Sequence, residues 1–128
     1  MPKKILIIDD DIDLVEAMRI TLEGAGFDVI DAQEGQKGID KIDQENPDLI
    51  LLDVMMGTQD EGFHIAYQIR NNTETADLPI IMLTAVGQET GFDFDKDKDE
   101  DFLPVSEFLE KPINPDILID KVKSHLGL

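Results

Sequence analysis

The sequence contains no cysteine and no tryptophan, and it has only one tyrosine and two histidines. The absence of cysteine excludes disulfide bonds, thiolate nucleophiles and zinc sites built on sulfur. Basic residues are scarce too, because 11 Lys and Arg stand against 29 Asp and Glu and leave a formal net charge of −18. A phosphate backbone and an anionic membrane surface would both repel such a chain. We therefore expect no nucleic acid and no membrane among its partners, and instead cations or proteins with basic or apolar faces.

Long hydrophobic runs are absent as well. No apolar stretch approaches the roughly 20 residues that a membrane-spanning helix needs. The N-terminal apolar run ends at Asp9, which is too early for a signal peptide. The length of 128 residues fits one domain, and 41% hydrophobic residues supply one core. The sequence therefore predicts a single cytoplasmic domain over residues 1–128, with no output domain, as a monomer or a weak dimer.

Five short apolar runs predict the strands of a sheet. Three of them are continuous and rich in Ile and Leu, which is typical of parallel strands buried on both faces. The second run alternates and suits a position nearer the edge of the sheet. The runs are Ile5–Ile8, Phe27–Ile30, Leu49–Leu52, Ile80–Leu83 and Phe108–Leu109. Strands of this kind need helices on both faces of the sheet.

Amphipathic stretches between and after these runs predict four helices. Asp11 is suited to capping the first helix, and Asn114-Pro115 opens the last. The predicted buried positions are Leu14, Val15, Met18, Leu22 and Ala25 in the first helix, Ile39 and Ile42 in the second, Phe63, Ile65, Ala66 and Ile69 in the third, and Ile117, Leu118, Val122 and Leu126 in the last.

The segment between Ala85 and Val105 differs from the rest of the chain. It carries six acids and two lysines over residues 93–101 and shows no helical stripe, so we predict an acidic loop or a short helix there. An EF-hand calcium loop is not indicated, because neither Asp93 nor Asp95 as first ligand is followed by Gly at position six and Glu at position twelve. A solvated loop and a recognition element for a partner or for dimerisation remain the two interpretations.

Strands that alternate with helices predict an α/β fold with a doubly wound, mainly parallel sheet of five strands. In such sheets the ligand crevice lies outside the carboxyl ends of the strands. Polar residues stand at these ends: Asp9, Asp10 and Asp11 after the first strand, Asp53 after the third, Thr84 after the fourth and Lys111 after the fifth. If the first and third strands are neighbours, their carboxylates converge.

Convergent carboxylates predict a cation site. Two unit charges 4 Å apart repel by about 4 kcal/mol at an effective dielectric near 20, so they need a proton or a cation between them. A ligand set of oxygens alone selects a hard cation such as Mg²⁺. A carboxylate beside such a metal, a hydroxyl and an ammonium is also suited to accepting a phosphoryl group. Each residue alone has an ordinary explanation, such as helix capping by Asp9 to Asp11, but the four strand ends together are far more specific.

Four motifs of the chain resemble those of the receiver domains of two-component response regulators, the CheY-like family. The motifs are Ile-Leu-Ile-Ile-Asp9-Asp10, Leu-Ile-Leu-Leu-Asp53-Val-Met-Met, Ile-Ile-Met-Leu-Thr84-Ala85 and Phe108-Leu-Glu-Lys111-Pro112. The resemblance extends over Lys3 to Leu128. It implies a flavodoxin-like sheet with strand order 2-1-3-4-5.

The resemblance also implies roles for the polar residues at the strand ends. Asp53 is then the phosphoacceptor, and Mg²⁺ is bound by Asp53, directly by Asp10, through water by Asp9 and by the backbone carbonyl of Met55. Thr84 would hydrogen-bond the phosphoryl group and swing inward when it arrives.

Further implied roles belong to the last strand. Lys111 would pair with a phosphoryl oxygen, and the Lys111–Pro112 bond is often cis in the family. Phe108 stands at the aromatic switch position, without the hydroxyl of the commoner Tyr. The donor would be a phosphohistidine of a sensor histidine kinase or a phosphotransfer protein. The signal would leave through a changed surface that contacts an unidentified protein effector.

Two other classes of function remain open at this point. A phosphatase of the haloacid-dehalogenase type also has a strand-end Asp nucleophile, but Asp9-Asp10-Asp11-Ile12-Asp13 fails at the fifth position of its motif, and the chain has no residues for a cap domain. A pseudo-receiver would bind partners without phosphorylation, and the intact Asp53, Thr84 and Lys111 argue against it. We therefore expect a signalling switch rather than an enzyme.

The resemblance is inexact in the loop after Asp53, where Gly57 replaces the usual Pro and the loop is about one residue longer.

The resemblance generates a prediction about the lifetime of the phosphoryl group. In the family this lifetime depends on the second residue after the phosphoacceptor and the second after the Thr, which are Met55 and Val86 here. Neither side chain can orient an attacking water, so we expect slow loss of the phosphate. The half-life of the phosphorylated protein measures this. A half-life no longer than that of members with polar groups at both positions would contradict it.

Overall fold

The apolar runs form the strands of one sheet, and the amphipathic stretches form helices. In a computed structural model, residues 2–54, 61–85 and 106–128 are described. The elements in chain order are β1 (Lys4–Ile8), α1 (Ile12–Gly24), β2 (Asp28–Ala32), α2 (Gly35–Glu45), β3 (Leu49–Asp53), α3 (Glu61–Arg70), β4 (Ile80–Ala85), β5 (Glu107–Lys111) and α4 (Pro115–Leu126). All strand pairings are parallel, and the strand order is β2-β1-β3-β4-β5. The predicted doubly wound sheet and its strand order are thus confirmed, whereas the predicted acidic loop at 93–101 lies outside the described residues.

Alternate residues of each central strand pack against opposite layers of helices. Ile5 and Ile7 of β1 face the layer formed by α1 and α4, and Leu6 and Ile8 face the layer formed by α2 and α3. These four side chains have no exposed surface. Because both faces of β1 and β3 are covered, their sequences are apolar without alternation. The carboxyl ends of the same strands are therefore rigidly held.

The two edge strands, β2 and β5, extend beyond the apolar runs that predicted them. β2 continues to Ala32, whose carbonyl accepts the amide of Asp9 at 3.1 Å, so the pairing with β1 goes on after the apolar residues end. β5 reaches from Glu107 to Lys111, although only Leu109 within it is buried. Both strands lie at an edge of the sheet, where hydrogen bonding to one neighbour defines a strand without much apolar burial.

Side-chain contacts attach the edge strand β5 to α4. Lys121 donates a hydrogen bond of 2.9 Å to one carboxylate oxygen of Glu107, and Nε2 of His125 lies 3.3 Å from the other. Partial burial alone would raise the pKa of the Glu107 carboxyl, but the hydrogen bonds from these two side chains outweigh it and the pKa is lowered. The contacts hold β5 in register, and β5 carries Lys111 at its carboxyl end.

The helix caps follow the sequence prediction. Oδ1 of Asp11 accepts a hydrogen bond from the amide of Leu14 at 3.2 Å, and Oδ1 of Asn114 accepts hydrogen bonds from the amides of Asp116 and Ile117.

Within the described residues, 2–54, 61–85 and 106–128, no helix has the length and apolar character that crossing a bilayer requires.

The predicted buried face of α4 is wrong at one residue. Leu118 and Val122 are 1% and 0% exposed, but Ile117 is 49% exposed. Consecutive helical residues point about 100° apart, so the stripe that contains Leu118 and Val122 turns Ile117 toward solvent. The other predicted helix positions are buried or partly buried, as expected.

This difference between two neighbouring residues of α4 can be tested by truncation. Leu118→Ala should lower the free energy of unfolding by about 2–5 kcal/mol, because it removes buried methyl groups and leaves a cavity. Ile117→Ala is the matched control and should change it by no more than about 0.5–1 kcal/mol. Urea denaturation measures both values. Equal losses for the two variants would contradict the assigned face of the helix.

Candidate functional site

The register of the sheet brings the polar strand ends to one edge. Ile8 pairs with Leu52, so Asp9 and Asp53 follow at the same level on neighbouring strands. On the other side of β3, Asp53 pairs with Leu83, which directly precedes Thr84. Lys111 of β5 lies opposite the last residue of β4. The sequence order of polar residues is thus converted into a contiguous row along the carboxyl edge.

Three carboxylates form a cluster at this edge. Asp9, Asp10 and Asp53 each have a carboxylate oxygen within 4.8 Å of those of the other two. Asp9 is 0% exposed and Asp53 is 5% exposed, whereas Asp10 is open to solvent. At these separations the charges repel by a few kcal/mol per pair at an effective dielectric near 20. The cluster therefore attracts positive charge from the protein or from solution.

Local hydrogen bonds fix the direction of the Asp9 side chain. Its Oδ1 accepts the amide of Asp11 at 2.9 Å, so that oxygen is directed toward the start of α1. Its Oδ2 is buried and, among the described residues, accepts no hydrogen bond of acceptable geometry, although the ammonium of Lys111 lies 3.1 Å away. A buried carboxylate oxygen without a hydrogen bond is unusual and costly. It is a position at which a cation or its bound water would be stabilised.

Lys111 supplies positive charge to the cluster from β5. Its Nζ lies 3.1 Å from Oδ2 of Asp9 and 3.4 Å from Oδ1 of Asp53. Burial alone would lower the pKa of the ammonium, but the charges of Asp9 and Asp53 outweigh burial and raise the pKa above its usual value. One ammonium offsets only part of three carboxylate charges, so the edge stays negative and able to bind a further cation.

The donor set fits a hard divalent cation. Within the described residues, the cluster consists of carboxylate oxygens without histidine. Mg²⁺ prefers such oxygens and retains several waters, which the exposed side chain of Asp10 permits. The backbone carbonyl of Met55, the remaining predicted ligand, lies outside the described residues, as does Val86.

The predicted switch residues lie on β4 and β5. Thr84 is partly buried at the end of β4. Phe108 pairs with Met82 in the sheet and packs against Phe63 of α3, with ring centroids 6.4 Å apart and planes tilted by 45°. The Lys111–Pro112 peptide bond is cis. Phe108 thus connects β5 to the core layer that contains α3.

Sequence reasoning assigned no role to Gly62, which lies at the start of α3 beside the end of β3. Its amide donates a hydrogen bond to the carbonyl of Val54 at 3.0 Å. A glycine between an acidic strand end and an amphipathic helix is an ordinary loop residue in sequence. The sequence around Gly62 therefore gave no sign of this contact with the end of β3.

Comparisons with known proteins identify relatives over nearly the whole chain. The sequence matches the family described as response regulator receiver domain over residues 5–123. The DNA-binding dual master transcriptional regulator RpaA of Synechocystis sp. is 39% identical over 130 aligned residues, which cover 98% of this chain and 49% of RpaA. The alkaline phosphatase synthesis transcriptional regulatory protein PhoP of Bacillus subtilis is 37% identical, with coverage of 98% and 49%. The chain therefore spans about half the length of these curated relatives.

Solved structures share the same fold. A putative response regulator from Chloroflexus aurantiacus aligns with a TM-score of 0.85 and 31% identity, covering 100% of both chains. The chemotaxis protein CheY4 of Vibrio cholerae aligns with a TM-score of 0.84 and 26% identity, covering 98% of this chain and 100% of CheY4. The five-stranded architecture is therefore that of the CheY-like fold.

The geometry predicts opposite effects of removing Lys111 on stability and on cation binding. Lys111→Ala should lower the stability of the metal-free protein by about 1–3 kcal/mol, because buried Asp9 loses its ionic partner. The same variant should bind divalent cations more tightly, by roughly three- to tenfold, because the ammonium no longer repels them. Denaturation in a chelator and titration with Mg²⁺ measure the two effects.

Lys123→Ala is the matched control for this prediction. It removes the same charge from an exposed position of α4 and should change neither quantity appreciably. Weaker cation binding by Lys111→Ala would contradict the view that the ammonium and the metal compete for the same carboxylates.

Proposed function

Because the chain belongs to the family of response regulator receiver domains, we propose that it is a signalling switch that accepts a phosphoryl group on Asp53 in the presence of Mg²⁺. The proposal treats residues 1–128 as one receiver unit. The observation that supports it most directly is the convergence of Asp9, Asp10 and Asp53 within 4.8 Å beside the ammonium of Lys111.

The proposed reaction transfers a phosphoryl group from nitrogen to oxygen. A carboxylate oxygen of Asp53 forms the new bond to phosphorus while the bond from phosphorus to the imidazole nitrogen of a phosphohistidine breaks. The imidazole keeps the electron pair of that bond and takes up a proton. The product is an aspartyl phosphate, which adds negative charge to an edge that is already acidic.

The surrounding residues would offset that added charge. Asp9, Asp10 and Asp53 would hold Mg²⁺, and the ion would neutralise phosphoryl oxygens. Lys111, which lies 3.4 Å from Oδ1 of Asp53, would move to pair with a phosphoryl oxygen. Thr84 would donate its hydroxyl hydrogen to another oxygen. Movement of Thr84 toward the phosphoryl group would be coupled to a rotamer change of Phe108.

Partners follow from the same proposal. The donor is a sensor histidine kinase or a phosphotransfer protein, and the readout is contact with a protein effector. The net charge of −18 disfavours direct binding of this chain to nucleic acid or to an anionic membrane. The proposed location of this phosphotransfer is the cytoplasm. A receiver of this kind works as a switch and not as an enzyme that turns over a separate substrate, and it acts as a monomer or a weak dimer.

Intact mass after treatment with acetyl phosphate and Mg²⁺ tests the proposal. The protein should gain one phosphoryl group, and Asp53→Ala should gain none, because the accepting oxygen is gone. Chelation of Mg²⁺ should abolish the gain in the unchanged protein. Asp13→Ala is the matched control, since it removes an exposed acid of the first turn of α1 that is not part of the cluster, and it should be phosphorylated normally.

Other outcomes of this experiment identify the competing classes of function. A pseudo-receiver would gain no mass under any condition. A phosphatase would consume the donor continuously without a stable adduct. A phosphoryl group that still forms on Asp53→Ala would contradict the assignment of the acceptor.

A further inference from the structure

Gly62, the second residue of α3, lies against the backbone of the proposed phosphoacceptor. A Cβ atom placed on Gly62 would lie 2.3 Å from the carbonyl oxygen of Asp53. It would also lie 2.6 Å from Cα and 2.8 Å from the carbonyl oxygen of Val54. All three neighbours are main-chain atoms, which cannot turn aside as a side chain could. Only a residue without a side chain permits this contact.

We propose that Gly62 is a positioning residue of the site: its missing side chain lets α3 lie directly on the end of β3 and so fixes the direction of the Asp53 carboxylate. The inference rests on the proposed role of Asp53. The role is one of positioning, because Gly62 itself would neither bind the cation nor contact the phosphoryl group.

The strand side of this contact is held in place. Val54 has no exposed surface, and its amide donates a hydrogen bond to the carbonyl of Leu83 at 3.0 Å. Asp53 is itself paired with Leu83 in the sheet. A displacement of this strand end would therefore break pairing with β4 and disturb the packed core.

The helix side is anchored as well. Phe63, Ala66 and Ile69 of α3 are buried in the core layer that also contains Val54. The amide of Gly62 is bonded to the carbonyl of Val54. A methyl group on Gly62 would force the two backbones apart by about 1 Å to reach an ordinary separation near 3.5 Å. With both sides anchored, that displacement falls on the start of α3 and the end of β3, where Asp53 projects into the cluster.

Two other described glycines, Gly24 and Gly38, do not have this constraint. A Cβ on Gly24 would meet nothing within 4 Å. A Cβ on Gly38 would meet only the side chain of Ile8, with the closest atom at 2.4 Å, and that side chain has rotamers available. Gly24→Ala is therefore a control that makes the same chemical change without creating a contact. Gly62 differs from Gly24 and Gly38 because the nearest atoms to its added Cβ all belong to the main chain.

The experiment compares Gly62→Ala with Gly24→Ala in the full chain. Mg²⁺ is titrated while backbone amide shifts are followed by NMR, which gives the dissociation constant in the folded protein. For Gly62→Ala we expect this constant to rise roughly 10–100-fold, the usual effect of disturbing the groups that orient metal ligands. The rate of phosphorylation by acetyl phosphate at saturating Mg²⁺ should fall as well, since misplacement by about 1 Å can cost up to about 100-fold. Gly24→Ala should match the unchanged protein in both.

A stability control separates positioning from a general loss of structure. Val122→Ala, in the core between the sheet and α4, should lower the thermal midpoint but leave the Mg²⁺ dissociation constant within about twofold. If Gly62→Ala behaves in the same way, with lower stability and unchanged affinity, the positioning role is overturned. The titration is repeated in trimethylamine N-oxide, which favours the folded state. A Gly62→Ala chain that stays unfolded there also overturns the proposal.

The two readouts keep this inference separate from the proposed function. If the unchanged protein binds Mg²⁺ but acquires no phosphoryl group, the proposed function fails while the affinity comparison still decides the role of Gly62. Suppose instead that the unchanged protein is phosphorylated and that Gly62→Ala has the same Mg²⁺ dissociation constant and the same rate of phosphorylation. The proposed function then stands, and the role of Gly62 fails.

Discussion

The mutual repulsion of three carboxylates at the carboxyl edge of the sheet is the constraint on which the site depends. Asp9, Asp10 and Asp53 are brought within 4.8 Å because β1 and β3 are parallel neighbours in a fixed register. Buried Ile and Leu side chains on both faces of those strands supply the stabilisation that holds like charges together. Lys111 offsets part of the repulsion. The remaining negative potential attracts a cation, which the proposed function takes to be Mg²⁺.

Two neighbouring elements, β5 and α3, pack closely against this edge of the sheet. β5 must bring an ammonium to the cluster, and the contacts of Glu107 with α4 hold the strand that carries it. α3 must lie against the end of β3, and Gly62 permits that approach. Phe108 on β5 packs against Phe63 on α3, so the two elements beside the cluster also contact each other.

The predictable parts of the fold are those for which a local sequence pattern is compatible with only one kind of structure. Continuous apolar runs such as Leu49–Leu52 are explained by strands covered on both faces, and the caps Asp11 and Asn114 mark helix starts through their own side chains. The edge strands were predicted too short, because pairing rather than burial defines their length. Ile117 was placed in the core because its hydrophobicity fits the stripe, while the exact rotation of α4 turns it outward.

The sequence by itself determined the fold class and which polar residues follow the strands, because strand ends in a parallel sheet follow directly from the order of apolar runs and the polar residues after them. Tertiary structure alone decided the contacts: which oxygen of Asp9 accepts no hydrogen bond from the part of the chain that the structure describes, and how Lys111 is shared between two acids. It also decided that Gly62 meets the backbone of Asp53. Such contacts join residues from separate elements, and their separation depends on how the whole core packs, which no local pattern encodes.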